Sequence, residues 1–384
     1  MKKIFFFILV LVFQLSKSPS TQAQDSTQFA TLRFSLITCD AGEDIYTIWG
    51  HTAIRVIDSV NHTDMVYNYG SFDFNTPNFI AKFMKGNLKY FISADTYQNF
   101  LYEYQYYGRD VHEQVLNISS EEKLNWYQAL QTNMVGDNRF YLYNFITDNC
   151  TTRIKDGIFK HTTINDSLID VPNFREQIVS SAYKAGQAWI GFGIDLLLGA
   201  VSDRKPNAFE QAFLPTLLFN RVANNPALVT QTNHFQYQIK PVEKGIMPIY
   251  VLMVLLLIYI MAANWNARPA VYLARLIDIS LLILFGIGGL LVLYMSQFSM
   301  HTACHENYNL LWLHPFYLIT LVTYFISRKW TGYLGWIFFS ILIAFMLGNY
   351  FIPQHFSMEV ITVIAIALVL SIRLIKRGRD ARFQ

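Results

Sequence analysis

Cysteine is scarce in this chain. There are three in 384 residues, Cys39, Cys150 and Cys304. Three scattered thiols do not make a disulfide framework. No spacing among the nine histidines resembles a zinc site, and no metal or cofactor is expected. Charge is thin as well: charged residues make up 15% of the chain, the net charge is only +3, and the cations fall in local groups. Nothing in that pattern points to a nucleic-acid partner. Internal repeats and low-complexity tracts are absent. Apolar residues are abundant, at 53%, with a mean hydropathy of +0.24. That is too apolar for an ordinary soluble protein and too polar for a pure membrane bundle. One soluble domain and one membrane domain fit.

Residues 1–23 read as a signal peptide. Lys2 and Lys3 supply its charged start, a short apolar core runs from Ile4 to Leu15, and Ala23 supplies a small residue before a plausible cut. An uncleaved anchor would leave the remaining topology the same. After about residue 245 the composition changes. Five apolar segments follow, near residues 247–263, 276–295, 310–327, 334–351 and 359–374, each close to the length of a membrane span. Arg268 and Arg275 follow the first segment, Arg328 and Lys329 the third, and Arg373, Lys376, Arg377, Arg379 and Arg382 the fifth. The connections after the second and fourth carry no Lys or Arg. By the positive-inside rule the charged connections face the cytoplasm. Residues 24–245 then form an exported domain, and residues 246–384 form an all-α membrane domain of about five helices with a basic cytoplasmic end.

The exported domain reads as α+β. Residues 34–39, 52–57 and 65–69 are strand-like in their β-branched content. Ser119 with Glu122 makes a capping-box pattern ahead of a helix reaching about Met134, and Asn149 is a credible N-cap for a helix that begins at Cys150. The apolar stretch 189–201 is too short to span. It reads either as a buried core helix or as an interfacial segment.

Two residues of this domain suggest chemistry. Cys150, in Asp148-Asn-Cys-Thr-Thr-Arg153, stands where unpaired helix N–H groups and the positive end of the dipole favour a thiolate. The two nearest N–H groups are also candidates for stabilising an oxyanion. His51 stands after Gly50 at the head of a β-branched run and is the candidate base. A third polar group usually orients such a base. Asn68, which strand alternation places opposite Tyr67 and Tyr69, is preferred, with Asp73 next. Cys39, ending an apolar run, reads as a buried apolar residue, and Cys304 as non-catalytic. In the membrane half, His301, His305, Glu306, Asn307 and Asn309 follow the second span, and Gln354 and His355 follow the fourth. Polar groups at that depth are costly unless solvated or bound. His301, Asn307, Asn309, Gln354 and His355 are therefore expected to form a headgroup-binding platform facing Cys150, the alternative being a solvated loop.

The order His51, polar residue, Cys150, with Gly50-His-Thr-Ala-Ile-Arg-Val56 and the Cys150 motif, resembles circularly permuted papain-like proteins of the NlpC/P60 type. The whole chain is similar to the lipoprotein N-acyltransferase family of Bacteroidota. Thr38-Cys39, Tyr67-Asn-Tyr-Gly70, Phe213-Leu-Pro215, His301, Asn307, Asn309-Leu-Leu-Trp312 and Pro315 also carry the likeness, while His314 departs from it. The resemblance implies a multi-pass inner-membrane protein with a periplasmic papain-like domain. Its implied activity transfers a fatty acyl chain from a phospholipid, through a Cys150 thioester, to the α-amine of a diacylglyceryl-cysteine lipoprotein. A membrane-tethered cysteine peptidase or peptidoglycan amidase, and a non-enzymatic membrane receptor, remain as alternatives.

Overall fold

The computed structural model describes residues 31–161, 171–238 and 243–379. The expected signal peptide and Arg382 lie outside the described residues. The N-terminal part is built on a seven-stranded antiparallel sheet. Its strands are β1 (Leu32–Cys39), β2 (His51–Asp58), β3 (Thr63–Ser71), β4 (Lys89–Thr96), β5 (Val111–Leu116), β6 (Phe140–Leu142) and β7 (Val229–Phe235), in the order β6-β4-β3-β2-β1-β5-β7.

The central strands are buried on both faces, which explains their dense apolar runs. Successive side chains point to opposite faces. Phe34, Leu36, Ile54, Val56, Tyr67 and Tyr69 therefore join one core with Trp126, Leu130, Ile154, Ile158 and Leu218. These come from helices α3 (Ser120–Asn133), α4 (Cys150–His161) and α7 (Pro215–Ala223). Ile37, Cys39, Ala53, Val66 and Val111 face the other way, against Tyr97, Phe100 and Tyr104 of α2 (Tyr97–Tyr106). The expected capping box is present at α3: the Ser119 hydroxyl accepts the Glu122 N–H and Glu122 accepts the Ser119 N–H. A short helix, α1 (Phe79–Lys85), precedes β4. Two more, α5 (Phe174–Lys184) and α6 (Ala188–Leu197), follow α4.

The C-terminal part is helical, with α8 (Pro248–Asn264), α9 (Arg268–Gln297), α10 (Phe316–Ile326), α11 (Arg328–Gly348) and α12 (Met358–Arg379). Five spans were expected. Four stretches among the described residues are long and apolar enough to cross a membrane: Arg268–Gln297, Thr302–Ile326, Arg328–Phe351 and Met358–Arg379. The fifth expected segment, α8, is shorter. α8 has 17 residues, about 26 Å at 1.5 Å per residue, against a hydrocarbon core of about 30 Å. It nevertheless packs with the bundle, because Tyr259 on α8 donates to Asp278 on α9 (2.5 Å), which also accepts a bidentate pair from Arg373 on α12 (2.7 and 2.8 Å). Tyr324 on α10 donates to the same carboxylate (3.3 Å). One buried, fully paired acid thus ties four helices together where an unpaired charge would be costly.

The stretch 189–201 turns out to be a joint between the two parts. Phe192, Leu196 and Leu197 of α6 pack on the membrane core, while Ile194 and Leu198 pack on a cluster in the N-terminal part. Arg175 on α5 holds this joint from inside. It pairs with Asp195 (2.8 Å) and Asp203 (2.9 Å) and donates to the Leu198 and Gly199 carbonyls.

Candidate active site

Cys150 is the first residue of α4. Asn149 caps that helix: its Oδ1 accepts the N–H groups of Thr151 (2.8 Å) and Thr152 (2.9 Å). Its Nδ2 donates to the carbonyls of Phe145 and Phe213, so the cap cannot rotate away. Asp148 is clamped by a bidentate pair from Arg153 (2.6 and 2.8 Å), and that guanidinium lies 3.9 Å from the centre of the Tyr141 ring. The motif around the sulfur is therefore rigid. Asn149 has also taken the Thr151 and Thr152 N–H groups. The N–H of Cys150 itself is the one that Asn149 leaves.

Gly70 ends the approach from β3 with φ +94°, and a Cβ there would come within 3.4 Å of the Cys150 Cβ. A side chain at this position would be strained and would crowd the thiol. Gly50 is also left-handed, φ +81°, and a Cβ on it would lie 2.5 Å from the Cys39 carbonyl. That close approach brings the chain into β2 with His51 as its first residue.

His51 and Cys150 lie beside each other, and each is the main charge acting on the other. Its Nε2 lies 3.2 Å from Asn68 Oδ1. An amide oxygen accepts only, so Nε2 carries hydrogen and Nδ1 is left to exchange a proton with sulfur. Burial would push the Cys150 thiol up. The charge and hydrogen bond of His51, with the Thr52 N–H and the Thr151 hydroxyl, bring it below its ordinary value. Burial would push His51 down, yet Cys150 and Asn68 hold it above its ordinary value. Both shifts favour a thiolate–imidazolium pair, a nucleophile with its proton donor already charged. Thr52 and Thr151 share a hydroxyl hydrogen bond (3.0 Å) that fastens β2 to α4.

The remaining candidates separate clearly. Asp73 is exposed and accepts the Asn75 N–H (2.8 Å), closing a turn, so Asn68 alone holds the base. Cys39 is 1% exposed and its thiol is pushed up to about 12 by burial. Cys304 is buried as well.

The membrane-side residues are occupied otherwise than expected. Asn307 Nδ2 donates to the Leu196 and Leu197 carbonyls (2.9 and 3.0 Å), and Asn309 Nδ2 to Leu196 (3.0 Å). Both are buried, and they satisfy the C-terminal carbonyls of α6. Gln354 is buried, and its Oε1 accepts the Tyr308 N–H (2.7 Å). His301 Nε2 donates to the Phe83 carbonyl at the end of α1 (2.7 Å). Only His355 stays exposed. The platform expectation is thus corrected for Asn307 and Asn309, whose amides seat the connection between spans, while Gln354 is committed there through Oε1 only and its buried Nε2 has no partner. That connection still reaches the site, since Asn144, at the base of the Cys150 turn, donates to Thr302 (3.3 Å).

Two family models match the chain. The model of the Lnb N-terminal periplasmic domain covers residues 20–165, and that of the Lnb transmembrane domain covers residues 240–378. The chain belongs to the Lnb family. It is a membrane protein with a periplasmic N-terminal domain, and the first Lnb model contains His51, Asn68 and Cys150 while the second contains the whole helical bundle. No curated protein and no solved structure matches this Lnb chain.

Residues that sequence reasoning passed over also shape the Lnb site. Tyr90 stacks on Tyr143 (4.5 Å), Phe72 packs on Tyr90 (5.3 Å), and Phe72 contacts Phe74 and Phe79 (4.8 and 5.7 Å). Phe72, Phe79, Tyr143 and Cys150 lie against the same core. A Cβ on Gly70 would lie within 3.9 Å of both the Cys150 Cβ and the Tyr141 hydroxyl, and Tyr141 packs on Tyr90 (6.2 Å), so the nucleophile sits beside this aromatic wall. The signal available in the sequence was the density of aromatics in residues 67–91 and 140–145.

Proposed function

We propose that this protein is a lipoprotein N-acyltransferase of the inner membrane. In this reading the N-terminal domain is a permuted papain-like thiol enzyme, the basic C-terminus faces the cytoplasm, and α8 is a fifth, short span. The observation that carries it is the pairing of His51 with Cys150, the imidazole held by Asn68, beside aromatic side chains and a membrane domain. A thiolate of that kind suits acyl transfer, and the nearest abundant acyl esters are those of the bilayer.

The mechanism balances without a cofactor. The Cys150 thiolate attacks the carbonyl carbon of a phospholipid ester. The C–O bond breaks, the His51 imidazolium gives its proton to the departing lysophospholipid oxygen, and a thioester remains. The α-amine of a diacylglyceryl-cysteine then attacks the thioester. Neutral His51 takes a proton from that nitrogen, the C–S bond breaks, and the thiolate–imidazolium pair is restored. One base serves both halves. The Cys150 N–H is suited to the developing oxyanion in each.

The test is mass spectrometry of lipoprotein N-termini from cells carrying the native protein, Cys150→Ser or no protein. An added acyl chain that depends on Cys150 supports the proposal. Unchanged lipoproteins together with cleaved peptide or peptidoglycan bonds would turn the reading to a peptidase or amidase. Cells indifferent to Cys150→Ser and His51→Ala would point to a receptor.

A further inference from the structure

A second concave site lies beyond the aromatic wall. It is a cavity of about 810 Å³ bounded by Phe72, Asp73, Lys82, Asn87, Lys89 and Arg139, among other residues. Three cations face one carboxylate there, and that carboxylate is turned back onto the Asn75 N–H. None of the three cations is in an ion pair with a residue described in the structure. Arg139 is held ready. Its Nε donates to the Ile92 carbonyl (2.9 Å), and its guanidinium lies 4.7 Å from the centre of the Phe91 ring, so its terminal nitrogens are left for a ligand. Asn87 brings a buried amide oxygen with no hydrogen-bond partner. Such an acceptor is costly to leave unmet and calls for a ligand donor beside the phosphate, such as a headgroup hydroxyl or ammonium, since a phosphodiester carries none.

Two further observations say what kind of ligand fits. Lys82 lies on α1, and the last carbonyls of α1 are bound by the connection that follows α9. Ser299 Oγ donates to Met84 O (2.6 Å), the Met300 N–H to Lys85 O (2.9 Å) and His301 to Phe83 O (2.7 Å). One wall of the cavity is therefore fixed at the end of a membrane span, the depth of lipid headgroups. Phe72 also belongs to both places. It lines the cavity and, through Tyr90 and Tyr143, continues the wall that reaches Cys150. Positive charge at headgroup depth, joined by an apolar path to a thiol, matches a molecule with a phosphodiester at one end and an acyl ester near it.

We propose that this cavity binds the phosphodiester headgroup of the acyl-donor phospholipid, with Arg139, Lys89 and Lys82 on its phosphate oxygens. This rests on the acyltransferase reading above. It gives the donor site to residues of the periplasmic domain rather than to the polar residues between the spans.

The experiment measures thioester formation on the full-length protein in detergent micelles. The donors are a phospholipid and a diacylglycerol with the same acyl chains, and the hydroxylamine-sensitive adduct is read by intact mass. The wild type should prefer the phospholipid. Arg139→Gln and Lys89→Gln should each reduce the phospholipid-to-diacylglycerol rate ratio by about tenfold, the scale of one charge-assisted hydrogen bond. Arg139→Lys should recover part of it. Lys89 is exposed, so its variant guards against a folding artefact. A thioester that forms with an unchanged ratio in both glutamine variants overturns the headgroup site alone. Absence of a thioester from any donor in the wild type overturns the acyltransferase reading and the site with it. If millimolar inorganic phosphate binds the wild type but not Arg139→Gln, while both discriminate donors equally, the pocket takes free phosphate and the lipid assignment falls.

Discussion

The Cys150 turn and the connection after α9 carry comparable polarity and touch each other, yet the structure uses them in opposite ways. In the connection, Asn307 and Asn309 spend their amides on the α6 carbonyls, the Tyr308 N–H donates to Gln354 from the next connection on that side, and His301 and His305 both donate to backbone carbonyls. At the Cys150 turn the supporting groups are equally committed, but they leave a sulfur and one ring nitrogen facing each other. Residue type and depth did not separate the two regions. The destination of each hydrogen bond does. A polar group whose partners are all backbone is building the fold, while a titratable pair whose partners all favour charge is prepared for chemistry.

The largest effect that would break this comparison is at the pair itself. Cys150→Ser and His51→Ala should each lower acyl transfer to a lipoprotein by about 10³-fold or more, with the protein still folded and in the membrane. His51→Ala should also change the thiol. His51 is the main influence opposing burial, so without it the Cys150 pKa should rise. The rate of alkylation by iodoacetamide against pH measures this. A midpoint unchanged by His51→Ala would show that the two groups are not coupled.

Asn68→Ala comes next. The base remains but loses its orienting bond and one support for its charge, so activity should fall by about tenfold to 10²-fold, and the His51 pKa should drop. NMR titration of the imidazole checks the direction. Asn307→Ala and Asn309→Ala should behave differently. Asn307→Ala strands the Leu197 carbonyl and Asn309→Ala the Trp312 indole N–H, and each should cost about 1–3 kcal/mol of stability, seen as a lower midpoint of thermal unfolding. The pH profile of Cys150 alkylation should not move. A shifted profile in these variants would make the connection part of the chemistry after all. The smallest effect on activity is expected at Cys39→Ser. A hydroxyl in that apolar core should cost about 1–3 kcal/mol of stability while acyl transfer stays measurable.

What could be read from the sequence follows the range of the interactions. The Asn149 cap, the Ser119 capping box and the placement of Asn68 opposite its neighbouring tyrosines are local patterns, fixed within a few residues, and the chain displays them directly. The meeting of β2 with α4 needed the two motifs to be read together. The seating of α6 by Asn307 and Asn309 crosses more than a hundred residues, and nothing near either asparagine announces it. Lys82, Lys89 and Arg139 are similarly separate in sequence and meet only because β4 pairs with both β3 and β6. The shortness of α8 was hidden for a different reason. Hydropathy finds the apolar stretch of α8 but does not fix where its helix ends, and Pro248 at its start and the break after Asn264 keep it short.

The connection after α9 is bonded at one end to α1 and in its middle to Asn144, so it works as a rigid strut between a span and the nucleophile. Cys150 is thereby held at a set altitude above the hydrocarbon. One additional helical turn at the end of α9 would lift it by about 5.4 Å, a displacement comparable with the separation of a glycerol ester from its phosphate. For the acyltransferase proposed above, the length of one transmembrane helix would act as a ruler for which bond of a lipid comes level with the sulfur.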